Sequence, residues 1–410
     1  MRSVPIDTYL TFGNGKQRPA DEGIGIFKIF GSNGVIGYCD EFNNPAGTVI
    51  IGRVGSYCGS VHYSANKCWV TDNAMKGNAK SNADPRYCYY LLLTTDLHAL
   101  RGGSGQPLIN QTSVKSLEVP ERDLVDQKAI AYILGTLDDK IELNQKMNQT
   151  LEEIAKAIFK SWFVDFDPVR AKAEDRPTGL PPEISDLFPD EFMDSEIGEI
   201  PRGWEVNKLS KYVDVLNGFA FKSTDYEAQG IRVLRTKNFN HGIVEKLADD
   251  VFLPEIFMNS HSKHVCEPYD YHMVMVGASI GARGMLFPHQ IPALRNQNMW
   301  CFRSKNKKQF SQLLIKLYLD GFISSKMGIA SGSAREFFRK GDFQSHQLCF
   351  ATDLLRDYFS KNYSSILEKI QNNLAQNETL TELRDTLLPK LISGELRIPD
   401  AEKFLEEAGI

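Results

Sequence analysis

Asn148-Gln-Thr-Leu-Glu-Glu-Ile154 and Asn377-Glu-Thr-Leu-Thr-Glu-Leu383 are one seven-residue phrase written twice, 229 residues apart. The same shift carries Leu137 onto Ile366, Ile141 onto Ile370, Asn144 onto Asn373 and Ile158 onto Leu387. Each copy sits in a heptad pattern. In the first, Ile130, Leu137, Asn144, Leu151 and Ile158 form one column, and Leu134, Ile141, Asn148, Ala155 and Trp162 form the other. In the second, Tyr363, Ile370, Asn377, Arg384 and Leu391 face Ile366, Asn373, Leu380 and Leu387. A seven-residue apolar repeat sustained this long predicts a helix that seeks another helix. Roughly 40 residues of it would run about 60 Å.

Outside the helices the texture changes. From Thr8 to Pro120, short apolar runs such as Thr48-Val-Ile-Ile51 and Ser60-Val-His-Tyr63 are broken by Gly, Asn and Pro, which predicts short strands and turns, with helix over Tyr87–Leu100. The same texture returns from Trp204 to Phe350, with strands expected at Tyr271–Val276 and Asn298–Phe302 and helical or mixed pattern at Ser311–Gly321 and Glu336–Phe343. Gly102-Gly-Ser-Gly105 near the end of the first block is echoed by Ala330-Ser-Gly-Ser333 near the end of the second, and Gly52-Arg-Val-Gly55 by Gly277-Ala-Ser-Ile-Gly281. Between the blocks, Pro168, Pro177, Pro181, Pro182, Pro189 and Pro201 predict an extended connector. The chain is therefore a tandem duplication of domain plus helix. The segments are residues 1–121, helix 122–164, connector 165–203, residues 204–350, helix 351–395 and a tail at 396–410. The expected fold class is α+β: two α/β domains joined by two long antiparallel coiled-coil helices in a pseudo-two-fold tandem repeat.

Antiparallel helices would bury their matching stripes against each other. Asn144, Asn148, Asn373 and Asn377 inside that seam would cost stability and fix register. Two reading heads on a rigid rod form a ruler. Duplex DNA, with a repeating rise and its own dyad symmetry, is a polymer that such a ruler fits at two separated places.

Composition limits the rest. The chain has 410 residues, 42% hydrophobic and 24% charged, with net charge −5, so a uniformly basic nucleic-acid coat is excluded. The total hides a partition: residues 1–121 carry net +1, 122–200 carry −9, 201–350 carry +7 and 351–410 carry −4. Seven unpaired-looking cysteines and the lack of any apolar signal or spanning run point to a cytoplasmic protein. A phosphate loop is missing, since Gly13-Asn-Gly-Lys16 is too short for one. Neither an Asn-Pro-Pro-aromatic run nor a Glu-x-Lys triplet occurs, so methyltransferase and nuclease signatures are lacking. His261, His264, Cys266 and His272 have no matching second half of a zinc motif, so no metal is expected. A non-catalytic binder is the reading. A coiled-coil adaptor for protein or RNA, and an enzyme fused to a recognition module, are the alternatives.

Ile133-Leu-Gly-Thr-Leu-Asp-Asp-Lys-Ile-Glu-Leu-Asn144 and Phe159-Lys-Ser-Trp-Phe-Val-Asp-Phe-Asp-Pro-Val-Arg170 strongly resemble conserved regions of type I restriction–modification specificity subunits. Leu187-Phe-Pro-Asp190, Gly198-Glu-Ile-Pro-Arg-Gly-Trp-Glu205 and Leu387-Leu-Pro-Lys-Leu-Ile-Ser-Gly-Glu395 extend the resemblance along the chain. Gly34-Val-Ile-Gly-Tyr38, Gly47-Thr-Val-Ile-Ile-Gly-Arg-Val-Gly55 and Trp69-Val-Thr-Asp72 add to it, although the lead-in strand before Tyr9 looks short. The resemblance implies a subunit without cofactors, whose two target recognition domains each read half of a bipartite double-stranded DNA site. Its helices would set the spacer and dock modification subunits, usually two. S-adenosylmethionine would sit on those methyltransferase partners and ATP on restriction/translocase partners.

Base reading needs polar side chains on loops, with basic groups nearby for phosphates. In the first domain the candidates are Lys16, Arg18, Arg53, Ser104, Gln106 and Asn110. In the second they are Lys222, Arg235, Lys237, Asn238, Arg283, Ser333 and Arg335. Phe219 and Phe221 are either DNA-packing or core, with core favoured, and Lys305, Lys307 and Lys308 read as a solvated cluster. Trp162, Phe163 and Phe166 exceed what a two-helix seam needs, which predicts partner docking or packing against the connector.

Overall fold

The computed structural model describes residues 2–19, 25–102, 107–240, 242–330 and 338–407. The chain forms two compact units, residues 1–144 with 376–410, and residues 145–375. The division falls within both long helices, Leu124–Phe163 and Asp353–Ser393, so each unit holds one strand-rich domain and a piece of each helix.

In the first unit, Ser3–Pro5 pairs antiparallel with Glu118–Pro120 and leads through Ile6–Thr8 into Leu10–Asn14. The lead-in strand is short, as the sequence suggests, and it is paired. Four antiparallel strands follow in the order Leu10–Asn14, Ala74–Ala79, Thr48–Gly52, Val61–Ser64. Thr48–Gly52 is buried throughout, as a continuous apolar run in a central strand should be. A second sheet has the order Gly34–Cys39, Phe27–Gly31, Cys68–Val70, the last pair parallel. Helix Pro85–Leu93 starts where the Asp84 carboxylate accepts the Tyr87 N–H at 2.9 Å and Pro85 needs no donor. Its Tyr87, Leu91 and Leu92 share one core with Val49, Ile51 and Met75, and with Ile130, Leu134 and Leu137 of the first long helix. Leu380, Leu387 and Leu391 of the second long helix close that core.

The second unit repeats the plan. Glu205–Lys208 pairs with Gln347–Phe350. The four-stranded sheet runs Val213–Asn217, Met299–Ser304, Tyr271–Val274, Arg283–Met285. The three-stranded sheet runs Phe252–Leu253, Ile231–Leu234, Ala293–Arg295, again ending in a parallel pair. Helix Gln312–Ala330 contributes Leu314, Ile315, Leu319 and Ile323 to the core beneath.

Within each unit the two helix segments run antiparallel. In the first, Arg384 pairs with Asp138 at 2.8 Å, and the Asn144 amide donates to Asn377 at 2.9 Å. In the second, Asn373 donates to Asn148 at 2.8 Å, and Phe159 meets Phe359. The asparagines therefore lie in the seam, not on the solvent face.

Residues 165–203 are not an extended connector. They fold into helices Asp167–Ala173 and Pro182–Ser185 and a hairpin of Phe192–Ser195 with Gly198–Pro201. The prolines start these short helices, and the apolar residues between them, Val169, Phe188 and Ile200, are buried in the core of the second unit. The tail carries a helix, Ile398–Glu407, anchored by buried Ala401. Among the described residues, no helix is long and apolar enough to cross a membrane.

Candidate nucleic-acid interface

In the first unit one turn collects several of the expected residues. After Leu10–Asn14 the chain passes Gly15 and bridges Lys16 to Thr71, with the Lys16 N–H on the Val70 carbonyl at 3.0 Å. A Cβ on Gly15 would lie 2.1 Å from the Thr71 oxygen, so only glycine lets the two backbones meet. One residue along, the Arg53 guanidinium donates to the Asp72 carbonyl at 3.4 Å, and the Arg53 N–H reaches the Asn73 carbonyl at 3.0 Å. The Arg53 carbonyl accepts the Ile109 N–H at 3.0 Å, which brings in Asn110. Lys16, Arg53 and Asn110 thus share one edge built on the Thr71-Asp72-Asn73 turn. Asn110 also caps helix Gln111–Lys115, its Oδ1 accepting the Ser113 N–H at 2.8 Å, so that oxygen has a local task. Arg18 points to the neighbouring hairpin, donating to the Ile36 carbonyl at 3.2 Å. Ser104 and Gln106 lie outside the described residues.

The equivalent turn in the second unit follows Val213–Asn217. Gly218 presses against the Asn296 carbonyl, and Phe219 bridges to Asn296 as Lys16 does to Thr71. Phe219 is 39% exposed, while Phe221 is buried in the core. Around Phe219 stand His261 and His264, with ring centroids 4.6 and 5.2 Å away. Burial, with Arg295 nearby, holds His264 below the ordinary imidazole range. Arg295 itself is fully buried and ties the turn together. It donates to the carbonyls of Asn217 at 2.9 Å, Val265 at 3.2 Å and Lys263. Lys263 is exposed beside them. Neither Arg295 nor Lys263 stood out in the sequence, because Ala293-Leu-Arg-Asn carries no motif and Lys263 is hidden between two histidines that read as metal candidates. Those two histidines stay with Phe219, while Cys266 and His272 are buried, so the four do not form one cluster.

Several candidates of the second domain have internal duties. Asn238 is fully buried: its Oδ1 accepts the Arg235 N–H at 2.8 Å, and its Nδ2 donates to the Glu245 carbonyl and to Asp250 at 2.7 Å. It organises a loop and cannot reach a base. Arg235 pairs with Asp249 and Asp250, and Lys237 with Asp249, so their charge is largely neutralised. Arg283 also turns inward. Its Nε meets Asp320 at 2.7 Å, and its other nitrogens meet Ser324 at 2.8 Å and the Gly281 carbonyl at 3.2 Å. The same Asp320 accepts from Tyr271 at 2.5 Å and from buried Lys316 at 2.8 Å. Lys222 and Lys237 stand exposed, Lys237 beside Asp249, and Ser333 and Arg335 lie outside the described residues.

Trp162, Phe163 and Phe166 are not a docking surface. All three are buried in the second unit, where Trp162 packs on Phe188 and Phe359, Phe163 on Trp204, and Phe166 on Phe192 and Trp204. The folded connector covers them. The apolar face that the first long helix leaves open lies elsewhere: Val125, Tyr132 and Leu143 are 77%, 68% and 53% exposed. Steps of seven and eleven residues return each to the same side of a helix within about 20°.

Residues 9–153 match the family described as the type I restriction modification DNA specificity domain. The chain is 27% identical over 366 residues to the type I restriction enzyme MjaIX specificity subunit of Methanocaldococcus jannaschii, covering 87% of this chain and 79% of that one. It is 28% identical to the HindI specificity subunit of Haemophilus influenzae, covering 76% and 77%. The crystal structure of a type I restriction–modification S subunit from M. genitalium superposes with a TM-score of 0.58 over 95% of this chain and 96% of that one, at 17% identity, which speaks for the fold. With two units of one plan, each closed by antiparallel pieces of two heptad helices, the chain is similar along most of its length to type I restriction–modification specificity subunits.

Proposed function

We propose that this chain is a type I specificity subunit that reads a bipartite DNA site and directs adenine methylation, and restriction when motor subunits join, to that site. The observation that carries the reading is the repeated turn. In both units a glycine admits the backbone against the end of a parallel strand, and the next residue, Lys16 or Phe219, is presented at the edge. Two versions of one recognition edge, with different side chains, suit two different half-sites. Lys16 and Arg53 in one unit, and Lys222 and Lys263 in the other, are the phosphate and base contacts we favour. The seam between the helices fixes the unread spacer.

The chain is non-catalytic in this reading and carries no cofactor of its own; S-adenosylmethionine and ATP belong to its partners. Two modification subunits dock on the helices, with Val125, Tyr132 and Leu143 as a docking stripe in place of the buried aromatic trio.

The test is co-expression with the cognate methyltransferase subunit followed by mapping of modified adenines. Replacing residues 204–350 with another recognition domain should change one half of the motif and leave the other intact. A change in both halves would refute independent reading. Methylation by the purified chain alone would refute the non-catalytic role.

A further inference from the structure

The recognition turn of the second unit carries an aromatic ring where that of the first carries a lysine. Lys16 bridges to Thr71, the residue just past strand Cys68–Val70, and Phe219 bridges to Asn296, just past Ala293–Arg295. Both of those strands are the parallel members of their sheets. The Lys16 N–H meets the Val70 carbonyl at 3.0 Å, and the Phe219 N–H meets the Arg295 carbonyl at 3.1 Å. The backbone frame is therefore the same in both units, and the side chain at this position is what differs.

The Phe219 ring is held in place yet left open. It rests on buried Phe221, with centroids 5.2 Å apart, and His261 and His264 flank it at 4.6 and 5.2 Å. Both histidines are tethered locally. His264 Nδ1 donates to the Asn217 carbonyl at 3.2 Å, since a carbonyl can only accept. Ser260 spends its hydroxyl proton on the Ile256 carbonyl, so its oxygen accepts from His261 Nδ1 at 2.9 Å. Burial lowers His264, which keeps the imidazole beside Phe219 uncharged at neutral pH. In spite of this packing, Phe219 remains 39% exposed. An apolar ring already fixed by its neighbours loses little freedom when something covers it, which favours binding.

The surroundings indicate what covers it. Lys222 and Lys263 are exposed on the two segments that frame the ring, and among the described residues neither is in an ion pair. Arg235 and Lys237, by contrast, are matched by Asp249. Unmatched cations around an apolar ring suit a polyanion that displays an apolar group. In the major groove of duplex DNA that group is the thymine 5-methyl, and phenylalanine is one of the side chains that contacts it. We propose that Phe219 reads a thymine through its 5-methyl group, so that the half-site of the second unit contains an A·T pair at that step. Lys16, a donor without acceptors, suits the O6 and N7 acceptors of guanine instead, so the one exchanged position asks for different bases. The inference rests on the DNA-reading function proposed above.

The test uses the chain in complex with its cognate methyltransferase subunit, and duplexes carrying the mapped motif. The half that changes when residues 204–350 are exchanged belongs to the second unit. In that half each thymine is replaced in turn by deoxyuridine, which lacks only the 5-methyl group. At one position the dissociation constant should rise about three- to fivefold, the worth of one buried methyl-sized group. Phe219→Ala should bind the thymine and uracil duplexes alike at that position, whereas Lys16→Ala should keep the full difference. General destabilisation weakens both duplexes equally, so the ratio isolates the contact. Should Phe219→Ala not fold, Phe219→Lys, which copies the first unit's turn, takes its place and should likewise lose the difference. Three results overturn the proposal while leaving DNA reading intact: equal affinities at every thymine of that half, a half without any A·T pair, or an undiminished ratio in the Phe219 variant. Equal affinity is also what stacking of the ring on a base would give, because stacking does not need the methyl group. Absence of any sequence-specific motif would overturn the DNA reading itself, and this inference with it.

Discussion

Asn373 donates its amide to the side-chain oxygen of Asn148 at 2.8 Å inside the helix seam of the second unit, and Asn148 reaches back to the Ile370 carbonyl at 3.5 Å. The first unit holds the exchanged pair, Asn144 to Asn377, at 2.9 Å, with a second bond to Gln376 at 2.8 Å. The sequence shift takes 144 to 373 and 148 to 377, so each observed pair is the image of the other. Only antiparallel copies pair this way. Asn148→Ala leaves the Asn373 amide buried without its acceptor and should cost about 1–3 kcal/mol. The double change Asn148→Leu with Asn373→Leu removes both polar groups and should recover that loss while relaxing register. Denaturant unfolding of the single and double variants checks this. A double variant less stable than Asn148→Ala would contradict it.

Partner docking and folding should separate by residue. Trp162→Ala opens a cavity among Phe188, Tyr358 and Phe359 and should cost about 3–5 kcal/mol of stability in the second unit. Tyr132→Ala and Leu143→Ala touch an exposed face and should leave the melting temperature nearly unchanged while weakening co-purification with the methyltransferase subunit. Equal assembly by wild type and the Tyr132→Ala, Leu143→Ala pair would remove this stripe from the interface.

The recognition edge makes a parallel division. Lys16→Ala and Arg53→Ala should weaken DNA binding across sequences and flatten its salt dependence, each by about one counterion per lost phosphate contact. Asn238→Ala should instead destabilise, by about 1–3 kcal/mol, because it strips a buried loop of three hydrogen bonds. DNA titrations at two salt concentrations, set beside thermal melts, distinguish the two outcomes. Loss of DNA affinity in a fully stable Asn238→Ala protein would place that residue back at the interface.

The heptads were legible because the helix repeat is a local property, and a column such as Ile130, Leu137, Asn144 needs no knowledge of what packs on it. Phe188 and Ile200 were not legible as core. Their segment is dense in proline and acid, and its burial depends on Trp162 and Trp204 meeting it in space. The recognition turns were half legible. Gly15 and Lys16 announced themselves as a turn, but Arg295 works through three carbonyls from loops 30 or more residues away. Asn238 and Arg283 were misjudged for the same reason: a polar residue in a loop looks alike whether it faces solvent or caps its own backbone. Charge counts could not show that Asp249, Asp250 and Asp320 stand beside the arginines they neutralise.

Asp320 gives that last point a measurable consequence. Burial pushes its carboxyl up, but the Lys316 ammonium and the hydrogen bonds from Lys316, Tyr271 and Arg283 outweigh burial and hold it at about 2, below the ordinary 3.8. A carboxyl depressed in the folded state adds stability above its unfolded value, and that stability fades as pH falls through the folded one. The contribution is thus complete above about pH 4 and lost towards about pH 2, on the order of 2 kcal/mol. Asp320→Asn should abolish this acid-side increment. It also strands Lys316, whose remaining ion pair among the described residues is Glu152 at 3.6 Å, so the variant should be destabilised at neutral pH as well. A companion Lys316→Met should restore part of the neutral-pH loss and leave the acid-side slope shallow, since the depressed carboxyl is gone from both. Melting temperatures of the three proteins between about pH 2 and pH 7 check the assignment. An unchanged acid limb in Asp320→Asn would mean that another carboxylate, such as Asp270 on Arg303, dominates the acid response.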